Sequence, residues 1–190
     1  MLRRTTAVVG LVAASALAAG LLAAPASASN ARSTATIWDV VESSESFSTL
    51  QLAIEVSDME NGSAYQATLD NPSINVTVFA PTNAAFDKVA GELKFESAVD
   101  LAVYLAKAGV LDDVLAYHVV GADRPAASLV KRTDRSVATL LAGASITVTP
   151  SGTVRDAAPS TSDAAIAAAD IRLANGRVHV ISNVLVPLAI

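Results

Sequence analysis

Apolar positions along this chain keep one period in its first part and another in its second. Ile37, Trp38, Val40 and Val41 recur at helical spacing with Glu42 and Ser43 opposite, and a second helix starts at Ser46 with Phe47, Leu50 and Ile54 on one stripe. Asn61-Gly62 breaks it, and Ser63 is placed to cap a short third helix carrying Tyr65 and Leu69, which Asn71-Pro72 ends. Val76 to Phe79 is then β-branched or aromatic, as a packed strand requires. Pro81 has no N–H for a ladder and turns Ala80 away from helix, so the strand stops there. Thr82 follows as an N-cap, with Pro81 and Phe86 at the N′ and N4 positions of a hydrophobic staple. Gly91 separates the helix so begun from another over Ser97 to Ala108, where Leu101 and Leu105 stand four apart and Gly109 supplies a left-handed end. A turn around residues 110–113 leads into Val114 to Val120, whose latter half reads as a strand closed by Gly121.

From Ser128 the period falls to two. Val137, Thr139 and Leu141 alternate with their neighbours, Ala142-Gly143 turns the chain, and Ile146 and Val148 alternate before Pro150 and Gly152. Residues 153–169 are Ala-rich and read as an irregular loop with a short strand. Asn175-Gly176 is the favoured pair of a two-residue type I′ turn, a register that sets Leu173 opposite Val178, Arg172 opposite His179 and Ile171 opposite Val180. Val184 to Val186 forms a last strand, stopped by Pro187. Helices first and strands afterwards predict an α+β domain, mostly antiparallel.

The beginning of the chain belongs to a different class. Arg3 and Arg4 precede an apolar run to Ala24, and Ala26-Ser27-Ala28 supplies small residues for cleavage, so residues 1–28 are expected to be a removed signal peptide. Residues 29–35 are then a flexible leader and residues 36–190 a single domain. Of 13 basic residues, loss of Arg3 and Arg4 leaves 11 against 18 acidic ones, a formal charge of −7. That balance argues against nucleic acid or an anionic membrane as partner, since both recognise a basic footprint. With no cysteine in an exported chain, the core alone must hold the fold.

Three stretches together resemble the fasciclin (FAS1) domain family. Thr77-Val78-Phe79-Ala80-Pro81-Thr82-Asn83-Ala84-Ala85-Phe86 is similar to the family's first motif, Tyr117-His118 to its central Tyr-His pair, and Asn175-Gly176-Arg177-Val178-His179-Val180-Ile181-Ser182-Asn183-Val184-Leu185-Val186-Pro187 to its second motif. Ser182 stands where the second motif commonly has aspartate. The resemblance implies a twisted β-wedge with N-terminal helices packed against it. It also implies a secreted or surface-attached adhesion module that binds another protein, matrix or cell surface. The chain itself is expected to be a non-enzymatic monomer with no cofactor and no membrane insertion after signal cleavage. Family members implicate the Tyr-His region in partner binding, which makes Tyr117 and His118 the candidate contact residues. Thr77, Phe79, Pro81, Thr82, Asn83, Phe86, Asn175, Gly176, His179 and Pro187 carry the motifs and are expected to be structural.

Residue chemistry weighs His118 differently. Among Val114, Leu115, Val119 and Val120 a histidine reads first as a buried ring bonded to a backbone group, and neighbouring strand residues cannot both face solvent. His179 is expected on the surface, opposite Arg172. Two histidines and no cysteine make a poor zinc set, and haem ligation has no support in their spacing. A small-ligand or haem binder is therefore the first alternative function. A hydrolase is the second, against which stands the lack of a G-x-S-x-G elbow; catalytic and metal residues are expected to be none. Asn61-Gly62-Ser63 and Asn75-Val76-Thr77 fit the glycosylation sequon.

Overall fold

Thr36 opens the fold. In the computed structural model, which describes residues 33–187, its hydroxyl accepts from the Asp39 amide at 3.2 Å while the Asp39 carboxylate accepts from the Thr36 amide at 2.7 Å. This reciprocal cap starts α1 (Ile37–Ser43). One 3-10 turn, Glu45–Phe47, leads into α2 (Ser48–Asn61), which Gly62 ends in the left-handed region at φ 66°. α3 (Tyr65–Asp70) is capped differently from the expectation: the Asp58 carboxylate receives the Tyr65 and Gln66 amides, and Ser63 donates instead to Asp112. A carboxylate accepts two orphan amides where a hydroxyl accepts one. The signal sequence and cleavage site expected within residues 1–28 lie outside the described residues, as does most of the leader.

β1 (Val76–Pro81) and α4 (Asn83–Glu92) form the junction the first motif predicts, with the Thr82 hydroxyl accepting from the Ala85 amide at 3.3 Å. The helix runs through Gly91 and does not stop there; Gly91 is exposed, and a glycine inside a helix costs only about 1 kcal/mol. α5 (Ala98–Lys107) follows the Ser97 cap. α6 (Leu111–Tyr117) replaces the turn and strand read around Val114. Leu111, Val114 and Leu115 are all buried at i, i+3 and i+4, so packing of a helical stripe overrides the strand propensity of valine. Only Val119–Val120 remains as strand, β2. A single turn, α7 (Ala126–Leu129), precedes β3 (Arg135–Ala138), β4 (Ser145–Val148), β5 (Thr153–Arg155), β6 (Ala164–Leu173) and β7 (Gly176–Ile181).

The strands lie in the order β2-β1-β7-β6-β5-β4-β3, with β1 and β7 parallel and every other pair antiparallel. The Leu140 amide donates to the Val119 carbonyl at 2.7 Å, which brings the chain after β3 back to β2 and nearly closes the sheet. Along β1, Val76, Val78 and Ala80 point into a core shared with the helices, while Phe79 points into a second core. That second core lies within the curled sheet and holds Tyr117, Val137, Ile146, Val148 and Ile181.

The final hairpin departs from the expected register. Leu173 pairs with Gly176, Arg172 with Arg177 and Ile171 with Val178, after which β6 carries irregularities that bring Ala168 opposite Val180. The turn therefore falls on Ala174-Asn175, and Gly176 is already a strand residue at φ 145°. Residues 153–169, expected to be an irregular loop with one short strand, instead carry β5 and the first part of β6. Val184 to Val186 is not a strand: side chains hold it, the His118 ring receiving the Leu185 amide at 2.9 Å and Asp156 the Val186 amide at 2.8 Å. The Ser182 hydroxyl accepts the Ala165 amide at 2.9 Å and so ties the end of β7 to β6.

Candidate functional site

Tyr117 and His118 are buried, so neither is presented to a partner. Tyr117 ends α6 and its hydroxyl donates to the Ser145 carbonyl at 2.9 Å within the sheet core. His118 caps the same helix, with Nδ1 at 2.7 Å from the Val114 carbonyl and Nε2 accepting from the Leu185 amide. Those partners fix the tautomer: Nδ1 carries the proton and Nε2 the free lone pair. Burial pulls its pKa down to about 4, against which the Val114 carbonyl acts weakly. The His118 carbonyl also receives the Phe79 amide at 2.9 Å, so the residue ties α6, β1 and the C-terminal segment together.

His179 is the larger correction. It lies fully buried beside Phe79, with ring centroids 5.5 Å apart, and does not face Arg172 at the surface. Nδ1 accepts from the Asp170 amide at 3.2 Å and Nε2 donates to the Arg124 carbonyl at 2.9 Å. The parallel pairing of β7 with β1, invisible to a hairpin argument, sets His179 beside Phe79 on the side of the sheet that lines the second core. Burial lowers its pKa too, though the Arg124 carbonyl and Asp170 oppose the shift. One residue pair away, Arg177 is buried and bonds Asp123 at 2.7 Å and Asp170 at 2.8 Å. Burial alone would lower the guanidinium's pKa; the two carboxylates prevail and raise it. The sequence reading missed this group. Its one visible trace was Arg177 in a strand otherwise rich in valine and isoleucine, where a buried guanidinium needs anionic partners.

The remaining motif residues also bind the chain to itself. The Asn83 side chain accepts the Thr49 amide and donates to the Glu45 carbonyl, joining α4 to the start of α2. Thr77 donates to the Ala122 carbonyl and accepts the Arg124 amide, each at 2.8 Å. Asn175 accepts the Ile37 amide at 2.9 Å and donates to the Leu69 and Asn71 carbonyls, linking α1 to α3 from within the interior. All four ring nitrogens of His118 and His179 face backbone partners, and no cluster of three or more metal-ligating side chains occurs among the described residues. Phe86 is core, and Pro187 is the last residue described.

Met59 and Leu140 are exposed singly, but three exposed apolar side chains gather on α5. Leu101 and Leu105 pack inward, yet the opposite face also carries apolar side chains: Val99, Val103 and Tyr104 are 50, 40 and 47% exposed. The Tyr104 ring leans on Phe95 at 5.1 Å, and Leu93, Phe95, Leu101 and Tyr104 line a shallow hollow of about 240 Å³. An exposed apolar cluster on a small domain marks a contact surface more often than an isolated apolar residue does. The signal was present in the sequence, since Val99 and Val103 are four apart on a helix whose other face was already filled. A second depression, about 340 Å³, lies between α3 and the sheet edge, walled by Tyr65, Leu69, Val76, Val119 and Leu140.

The helices laid on a nearly closed mixed sheet and the buried motif residues define the class, and comparisons agree. The fasciclin domain model matches residues 45–187, and the chain belongs to that family of adhesion and interaction modules. It is 30% identical to protein sll1483 of Synechocystis over 80% of this chain and 73% of that one. It is 33% identical to the immunogenic protein MPB70 of Mycobacterium bovis over 63% of this chain and 58% of that protein; MPT70 of Mycobacterium tuberculosis matches equally. The chain thus spans little more than half of the mycobacterial relatives. A FAS1 domain pair from the insect cell adhesion molecule fasciclin I has the same fold, with a TM-score of 0.58 at 17% identity, over 81% of this chain and 51% of that one.

Proposed function

We propose that the mature chain is a secreted, non-enzymatic binding module that meets a protein, matrix or cell-surface partner through the outer face of α5. The observation that carries this reading is the exposed cluster of Val99, Val103 and Tyr104 with Phe95 behind it. It replaces the Tyr117-His118 contact, whose side chains are interior. Export is supported by the signal pattern of residues 1–28, and no described helix is long and apolar enough to cross a membrane. The experiment is to express the full chain in a secreting host, weigh the exported product and measure its binding to host-cell surfaces. A product beginning at Ser29 is expected, with binding that Val103→Asp reduces at least ~10-fold at unchanged melting temperature, since a charge in a desolvated contact costs over 1.4 kcal/mol. Binding untouched by Val103→Asp would remove α5 as the surface; retention of the exported chain at full length would remove the signal assignment.

The small-ligand alternative has one observation of its own, the depression beside Tyr65 and Leu140. For haem, neither histidine offers an open nitrogen. An absorbance scan of the exported protein separates the readings, because a Soret band would place haem ahead of adhesion.

A further inference from the structure

The solvent face of α5 holds more than apolar residues. Asp100 and Lys107 flank Val103 and Tyr104 on that face, opposite the buried Ala98, Leu101, Ala102 and Leu105. Both are exposed; the Asp100 carboxylate accepts from the Ser97 hydroxyl, to which the Asp100 amide donates in turn, and Lys107 makes no ion pair among the described residues. They stand seven residues apart, two helical turns or about 10 Å, with opposite charges at the two ends of one apolar stripe.

Such a stripe is complementary to itself in one orientation. When a second α5 lies antiparallel with a twofold axis between Val103 and Tyr104, residue 100 of each helix meets residue 107 of the other. Valine and tyrosine then cross at the centre, and a carboxylate–ammonium pair closes each end. Laid parallel, the same two helices would set Asp100 against Asp100 and Lys107 against Lys107, which is repulsive. Charge therefore selects the antiparallel, isologous arrangement.

We infer that the partner engaged by α5 is a second copy of this chain, packed antiparallel across a twofold axis at Val103 and Tyr104 with Asp100 and Lys107 paired twice. The inference rests on the reading of α5 as the contact face and departs from the monomer expected from the sequence. One helix face buries less than the roughly 1,200 Å² of a stable interface, so the association is weak and rapidly exchanging. Contact between identical modules on facing surfaces would gain strength from number, not from the single interface.

Sedimentation equilibrium of the exported chain, from roughly 10 μM to 1 mM, tests this. The wild type is expected to dimerise with concentration. Asp100→Lys and Lys107→Asp, each checked by circular dichroism to remain folded at the assay temperature, are expected to weaken self-association at least ~10-fold, because each then faces like charge twice. Mixed in equal amounts, the two variants are expected to form a one-to-one heterodimer, since one copy presents two cations and the other two carboxylates. The double variant Asp100→Lys/Lys107→Asp is expected to recover wild-type association. A wild type monomeric throughout, or variants that associate like it, or a mixture that stays monomeric, would each overturn the proposal. Failure of the underlying reading is distinguishable: a monomeric wild type whose cell-surface binding still falls with Val103→Asp keeps α5 as a contact face for another partner.

Discussion

At the scale of single residues, the second motif shows how a local signal can be right about composition and wrong about role. Asn175-Gly176 reads as a turn because both residues tolerate positive φ. The asparagine is instead buried and triply bonded, and the glycine is needed for space. A Cβ at Gly176 would sit 1.9 Å from the Val76 carbonyl oxygen, at φ 145°, with backbone on both sides of the contact. No rotamer change relieves a clash with backbone, and β1 and β7 would have to part. Gly176→Ala is therefore expected to cost on the order of 4 kcal/mol or more, at the exceptional end for point substitutions. Urea denaturation would measure it, and a loss below about 1 kcal/mol would show that the β1–β7 approach can widen freely.

At the scale of elements, the C-terminal segment Asn183 to Val186 has no strand neighbour and depends on side-chain acceptors. Its Leu185 amide bonds a neutral imidazole, buried among Leu50, Phe86, Val114 and Val184 with Tyr65 the titratable group nearby. Protonation would put a donor where an acceptor is needed, in apolar surroundings. The folded pKa of His118 is about 4 and the ordinary value 6.5, so its stabilisation is complete above pH 6.5 and is lost as pH falls towards 4. The loss amounts to roughly 3 kcal/mol over that window, and His179 adds to it in the same direction. Asp156 opposes it: burial raises its pKa, so protonation on acidification is easier in the folded than in the unfolded chain. Melting temperature should fall between pH 6.5 and 4, with the His118 ring resonance unmoved until near pH 4. A ring titrating near 6.5 would sink the account. Much here was legible beforehand, including the buried His118, the Thr82 cap and the Ser97 helix. What was not legible depended on contacts distant in sequence. Periodicity cannot show that Asp58 caps α3, that β7 lies parallel to β1, or that Val184 to Val186 packs as a strap.

At the scale of the molecule, two cores share their walls. Consecutive residues of β1 and β7 alternate between them: Val78 and Val178 face the helices, Phe79 and Ile181 the curled sheet. The strap repeats the alternation, with Val184 and Val186 in one core and Leu185 in the other. Neither core can open without exposing one face of β1 and β7, and a seven-stranded sheet half stripped of its packing would leave about half its central apolar side chains in water. The described domain should therefore unfold as one cooperative unit despite having two hydrophobic clusters. Trp38, the single tryptophan, reports on the helical core, and a tryptophan placed at the partly buried Leu141 in a Trp38→Phe background would report on the sheet core. Urea curves from the two probes, each compared with far-ultraviolet circular dichroism of the same variant, are expected to share a midpoint within that variant. A fluorescence transition that precedes the loss of secondary structure in either one would mean that the cores separate, with β1 and β7 remaining as a folded partition against whichever core survives.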